Sequence, residues 1–312
     1  RAGRGQGGAV GTLAAQFLER SGWQVIDRKQ TPDSLSARKD LARELAARVD
    51  CLVVVGGDGT LREVCAALGP FSNRVLLGFI PVGNANVMAR ELGIPRDPSQ
   101  AIRLLATGRP LAVDAALLTA DDDSTAPTLF MAMLEIGFGA LVIHRVHHWR
   151  RRLWQQAYRL WGDSLYLMAG VLSLIGPQRP AFRIWIDDQA PLDQCRLAVI
   201  ANTRTYAKGW SMNPRASATD GFLDVMCRQR DNTPALVQNI ANAWRSRETR
   251  APDVQYHKGR RLVVEADRPL WIQADGDPLP PQARLRVEIL PQALQILVPA
   301  QTMCSPTPSA PV

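Results

Sequence analysis

Residues 52–64 read LVVVGGDGTLREV, and the way this stretch is broken decides the fold. Leu52 to Val55 is a short, continuous, β-branched run, which suits a strand buried on both faces of a parallel sheet. Leu61, Val64, Cys65 and Leu68 then recur at helical spacing. Gly56, Gly57 and Gly59 therefore form a tight turn between a buried strand and a helix N-terminus. Unpaired amides and the helix dipole favour an anion at such a terminus, and a phosphate is the anion expected there.

Upstream, AGRGQGG (residues 2–8) is a glycine-rich loop that no strand precedes. Val10, Leu13, Phe17 and Leu18 mark an amphipathic helix, and WQVID (23–27) reads as the next strand. A βαβ layer would feed the first loop from a strand, so the chain is expected to extend further upstream or to have lost its start. Thr31-Pro32-Asp33-Ser34 is a loop, with Ser34 as N-cap of a helix carrying Leu35, Leu41, Leu45 and Val49. Downstream, VLLGFIPV (75–82) is a second buried strand that runs through GNANVMARELGIP (83–95) into another helix. This alternation argues for an α/β layer over 1–113 with its ligand at the carboxyl ends of the strands.

From Val113 the texture changes. LFMAMLEIGFGALV, FRIWIDD, RLAVIANTR, GFLDVMCR, RRLVVEA, LWIQADGDPL and ARLRVEIL are short strand-like runs separated by turns, so 114–290 reads as mostly antiparallel β. The fold class is α+β overall: an α/β N-terminal domain followed by a β-rich domain. The tail from 303 to 312 is rich in Pro and Ser and is expected to be disordered.

The chain has 312 residues, 46% hydrophobic and 21% charged, which is ordinary for a globular enzyme. Its net charge of +8 invites nucleic acid, an anionic membrane or a phosphorylated ligand. No nucleic-acid-reading module accompanies the charge, so nucleic acid is not expected as a partner. Five cysteines without a Cys-x-x-Cys pair suggest reduced, buried thiols and a cytoplasmic protein. The longest apolar run, Ser164 to Gly176, falls short of the about 20 residues that span a bilayer and reads as a buried helix. No signal peptide is visible at the start.

Five stretches stand in order: AGRGQGG, GGDGTLREV, PVGNANVMARELGIP, ASATDGFLDV and ADGDPL. Together they resemble the diacylglycerol kinase catalytic family, which includes sphingosine and ceramide kinases and small bacterial lipid kinases. The resemblance implies an NAD kinase- or phosphofructokinase-like nucleotide domain, a β-sandwich-like second domain, and a last segment, 291–302, returning to the first. It also implies ATP and Mg²⁺ as cofactors and a hydroxyl of a membrane lipid as acceptor: diacylglycerol, a sphingoid base, ceramide or phosphatidylglycerol.

Carried over residue by residue, the first loop matches at Gly3 and Gly5. The nucleotide-contacting threonine matches Thr31 by position alone. Gly56, Gly57, Asp58, Gly59, Thr60, Leu61 and Arg62 match the central phosphate loop, with Asp58 suited to Mg²⁺ or the nucleotide. A helix-terminal or turn carboxylate is the plainer reading of Asp58. The third motif departs from the family's Gly-Thr-x-Asn-Asp: Asn84 stands for the threonine, Asn86 matches the asparagine, and the adjacent acid is absent. Asp220, with the carbonyls of Ser217 and Phe222, matches a structural Mg²⁺ site of bacterial members, although a simple Asp-Gly turn looks the same. ADGDPL matches Asp-Gly-Glu, which makes Asp275 and Asp277 the candidates for the base that takes the lipid hydroxyl's proton. An ordinary hairpin turn also reads Asp-Gly-Asp-Pro.

Val146, Trp149, Leu153, Ala157 and Leu160 follow helical spacing among Arg145, Arg150, Arg151, Arg152 and Arg159. Such a helix could lie on an anionic bilayer, placing the protein peripherally on the inner face of the membrane, or could pack its tryptophans in the core. His144, His147 and His148 have ligand-like spacing, but the arginines around them disfavour a cation. The rival functions are an NAD kinase-like enzyme on the same fold and a non-catalytic nucleotide- or lipid-binding protein. A homodimer is compatible with the chain, and nothing in the sequence requires one.

Overall fold

The computed structural model describes residues 7–69, 75–121, 126–152, 165–166, 168–174, 179–205 and 209–300, apart from the side chains of residues 150–152. The opening stretch forms strand β1 (Cys51–Gly56) and helix α3 (Asp58–Leu68), with α1 (Gly7–Arg20) and α2 (Leu35–Ala46) before them. The Ser34 hydroxyl accepts from the Ala37 amide at 3.2 Å and caps α2. Then come β2 (Leu76–Pro81), α4 (Val87–Glu91) and α5 (Pro98–Thr107), the last started by Asp97 as N-cap and Pro98 in the first turn. Strands β1 and β2 are parallel, so both end at the same edge of the sheet. Leu61 and Cys65 of α3 and Met88 of α4 cover one face of the layer; Ala14 and Leu18 of α1 and Ala101 and Leu105 of α5 cover the other.

Two long strands join this layer to the rest. Strand β3 (Arg109–Ala120) lies antiparallel to the last strand, β12 (Asp277–Val298), along most of its length. The far end of β12 returns to the first layer, where Gln295 and Ile296 pair in parallel with β2. Its register against β3 shifts between Leu290 and Leu294, and the strand passes there from one half of the molecule to the other. Between β3 and β12 the chain builds β4 (Thr128–Phe130), β5 (Met133–Ile136), α6 (Phe138–Arg152), β6 (Phe182–Ile186), β7 (Leu192–Cys195), β8 (Leu197–Ala201), β9 (Leu223–Arg228), α7 (Thr233–Trp244), β10 (Val254–Gly259) and β11 (Arg261–Ala274). Their pairings are antiparallel, and the main strand order runs β1-β2-β12-β11-β5-β8-β9-β10. Leu134, Ile136, Ile184, Ile200, Val225, Leu262 and Leu285 fill the β-rich core.

Three expectations change. Trp23–Asp27 is extended but not a strand: no neighbouring strand among the described residues offers it a ladder, and only Trp23 and Val25 pack, in part, on the α1 side. Cys195 and Cys227 form a disulfide rather than remaining free thiols. The physical reason is register: Ala198 of β8 faces Cys227 of β9, so the residues leading into β8 lie beside that strand. Cys51 and Cys65 are free, and burial pushes their thiols up to about 11 and about 12, where they are inert. The run at 164–176 is helical where described but only half buried: Leu165 and Ala169 face inward while Met168, Val171 and Leu172 face solvent. The 303–312 tail and residues 153–160, expected to be helical, lie outside the described residues.

Candidate active site

The parallel register sets the site. Gly56 faces Pro81, so the two loops leaving β1 and β2 emerge side by side, and the Val82 amide donates to the Gly56 carbonyl at 2.9 Å. The loops touch through glycines. A Cβ on Gly83 would lie 2.6 Å from the Gly57 Cα, and one on Gly56 would lie 2.7 Å from the Thr60 Cβ. No larger residue fits without moving backbone, which explains the Gly-Gly pair independently of any ligand. The first intrahelical bond of α3 runs from the Leu61 amide to the Gly57 carbonyl, so the amides of Asp58, Gly59 and Thr60 point out of the helix end.

Asp58 bridges the two loops. Its Oδ1 accepts from the Met88 amide at 3.0 Å, so it caps α4 rather than its own helix. Among the described residues its Oδ2 meets no donor. Asn86 is held in the left-handed region (φ 48°) and donates from Nδ2 to the Gly83 carbonyl at 2.9 Å. Its Oδ1 is buried with no donor among the described residues, an acceptor in want of a partner at the loop junction. Asn84 is exposed beside it. Thr31 is exposed in an irregular segment that Arg38 anchors. The Arg38 guanidinium donates to the carbonyls of Pro32 (2.8 Å) and Asp33 (2.9 Å) and pairs with Glu63 of α3 at 2.9 Å. Gly3 and Gly5 lie outside the described residues.

The Asp275-Gly276-Asp277 turn arrives from the other half of the molecule. Arg62 of α3 reaches it with one guanidinium nitrogen on Asp277 Oδ2 and another on the Ala274 carbonyl at 3.5 Å. The two candidate carboxylates are in different states. Asp275, at φ 51°, accepts from the amides of Met131 (2.8 Å), Ala132 (2.8 Å) and Met133 (3.0 Å). Burial pushes its carboxyl above the usual range, opposed by those amides and by Arg62. Asp277 keeps its side chain half exposed beside Arg62. Behind the turn, Gln273 accepts from the Gly276 amide at 2.7 Å and donates to Glu135 at 3.1 Å. Glu135 is fully buried, and burial pushes its carboxyl up to about 7.

At the Asp220 turn the carboxylate already has partners on both oxygens. Its Oδ1 accepts from the Phe222 amide at 3.1 Å, and Lys258 Nζ lies 2.6 Å from its Oδ2. Ser217 is bonded through its hydroxyl to Thr219. The turn is fixed from behind by Asp114, which is fully buried and accepts from Gly221 and Gln292, each at 2.7 Å. Among the described residues no cluster of three or more His, Cys, Asp or Glu forms a metal site. The histidine trio is no exception: His144 Nε2 meets the Ile272 carbonyl at 3.0 Å, and its ring stands edge-on to Trp271.

Arg38, Asp114, Glu135, Gln273 and Lys258 were not singled out from sequence. Asp114 and Glu135 carried a signal, since each is a lone acid within an apolar strand. Nothing local marked the others.

A family description of the diacylglycerol kinase catalytic domain matches residues 1–118, and one of the YegS C-terminal NAD kinase beta sandwich-like domain matches 132–298. A Pseudomonas putida protein named "Probable lipid kinase YegS-like" is 33% identical over 288 residues, 91% of this chain and 88% of its own. The diacylglycerol kinase of Mycobacterium tuberculosis is 28% identical over 86% of this chain and 82% of its own. The fold is similar to the crystal structure of a diacylglycerol kinase from Bacillus anthracis, with a TM-score of 0.70 and 18% identity over 97% of this chain and 95% of that one.

Proposed function

Because the chain belongs to the diacylglycerol kinase catalytic family and is a lipid kinase, we propose that it transfers the γ-phosphoryl group of ATP to a membrane-lipid hydroxyl, diacylglycerol or a related lipid. The observation that carries this reading is the meeting of the Gly57–Gly83 loops with the Asp275–Asp277 turn through Arg62. A glycine loop suited to phosphate and a carboxylate from the other half of the chain are thereby joined through one arginine, which supports this reading.

ATP, with the Mg²⁺ that accompanies it, would supply the phosphoryl group and neutralise charge on it. The amides of Asp58, Gly59 and Thr60 would hold phosphate oxygens, and Asn86 Oδ1, buried without a donor, fits a hydrogen-bond donor of the nucleotide. The second carboxylate oxygen of Asp58, which the Met88 amide leaves unused, would hold that metal ion. Asp277 would take the proton of the lipid hydroxyl as its oxygen bonds to the γ-phosphorus and the bond from that phosphorus to the β–γ bridging oxygen breaks, releasing ADP, while Arg62 holds Asp277 toward the glycine loop. Asp275, with both oxygens on backbone amides, positions the turn instead of acting as the base.

The substrate places the reaction at a bilayer. No helix among the described residues is long and apolar enough to cross one. Helix α7 exposes Val237 (51%), Ile240 (39%) and Trp244 (65%), which share one face, and α7 itself carries no charge. Arg245 lies over the Trp244 ring at 5.6 Å, with Arg247 and Arg250 following. An apolar stripe bordered by arginines is the composition that binds an anionic surface peripherally.

The test is a mixed-micelle assay with labelled ATP and diacylglycerol, sphingoid base, ceramide or phosphatidylglycerol. Transfer to at least one lipid is expected. A full-length protein that phosphorylates none of them is not a kinase of this substrate class.

A further inference from the structure

We infer that Lys258 is a built-in cation at the Asp220 turn, standing where the resemblance implied a structural Mg²⁺, so that this turn folds without metal. Lys258 Nζ lies 2.6 Å from Asp220 Oδ2 and 3.4 Å from Asp224 Oδ2. The sheet places it there: Lys258 of β10 is the cross-strand partner of Asp224 of β9, and Asp220 belongs to the turn that feeds β9. The ammonium therefore arrives by strand register rather than by a chance rotamer of a distant side chain.

The contacts leave little for a metal. Mg²⁺ keeps several waters in its octahedron but takes one or two protein carboxylates facing it. Here one Asp220 oxygen is given to the Phe222 amide and the other to Lys258, while the neighbouring Asp114 has both oxygens on the amides of Gly221 and Gln292. A dication would also have to sit against an ammonium and near Arg260, whose guanidinium lies 4.6 Å from the Phe222 ring centre. One ammonium between two carboxylates offsets their mutual repulsion, as a metal would, with three directed donors. The inference concerns how the turn is held and stands whether or not the chain transfers phosphate.

Thermal unfolding of the nucleotide-free full chain, in EDTA and in MgCl₂, tests it. The quantity read is the part of any Mg²⁺-dependent rise in Tm that Asp220→Asn abolishes. That part is expected to be within about 1 °C of zero in the wild type, and at least about 2 °C in Lys258→Met, where two carboxylates lose their counter-charge and regain one only from the ion. Lys258→Gln, which keeps a hydrogen-bond donor, serves as the second variant. An Asp220-dependent rise of 2 °C or more in the wild type overturns the inference. So does its absence from both Lys258 variants. Folding of Lys258→Met only when Mg²⁺ is present supports it in its strongest form.

Discussion

Asp277 and Asp275 differ by two positions in sequence and entirely in surroundings. Asp275 spends both oxygens on the Met131, Ala132 and Met133 amides, whereas Asp277 stands half exposed against Arg62. Asp277→Asn should therefore lower kcat by about 10²- to 10⁴-fold, the usual worth of a general base, with only a small fall in Tm, because Asp277 is half exposed and asparagine keeps an oxygen that accepts from Arg62. Steady-state kinetics beside a thermal melt read both; a variant with native kcat would remove Asp277 from the mechanism. Asp58 should separate from it. Asp58→Ala removes the cap on the Met88 amide, so it should lose activity and also about 1 kcal/mol of stability. An Asp58→Ala protein as stable as the parent in urea would show that the bond to α4 carries no weight.

At the level of elements, the Asp-Gly-Asp turn is held by strand β5 through Glu135 and Gln273. Glu135 is enclosed where β5 turns into α6, and a Cβ on Gly139 would lie 1.8 Å from its Oε1, so only glycine leaves room for it. Its pKa is raised by burial from 4.5 to about 7. The folded state thus holds a proton between those values that the unfolded state has released, and stability falls as pH rises through that window. The full difference is roughly 3 kcal/mol. Glu135→Gln should abolish that fall, so the variant's stability relative to the wild type should grow from pH 5 to pH 8. Urea titrations at both pH values measure it, and parallel pH profiles for the two proteins would contradict the assignment.

Over the whole molecule, two family segments are joined by one sheet. Strands β3 and β12 run through both halves, and the core beneath α3 contains Val54, Leu77 and Phe79 together with Leu129, Met131, Ala218 and Ile296. The first layer does not close its core without residues of the β-rich half. The molecule should unfold in one transition: hydrogen-exchange free energies of β1, β2, β8 and β9 amides should converge with rising urea. Convergence of β1 and β2 at a value lower by more than about 2 kcal/mol would show independent units instead.

What was legible in sequence was local. The strand, glycine turn and helix of 52–64, the Ser34 cap and the alternation of the first layer follow from periodicity and backbone sterics, and the change to antiparallel β follows from short runs between turns. The reading failed at Trp23–Asp27 because a strand exists only through its neighbour, and at Cys195 and Cys227 because pairing depends on register. Tertiary structure alone brought Arg62 to Asp277, 215 residues away, and Lys258 to Asp220. A side chain's chemical type is written in the sequence, but the charge it will face is decided by which strands come to lie side by side.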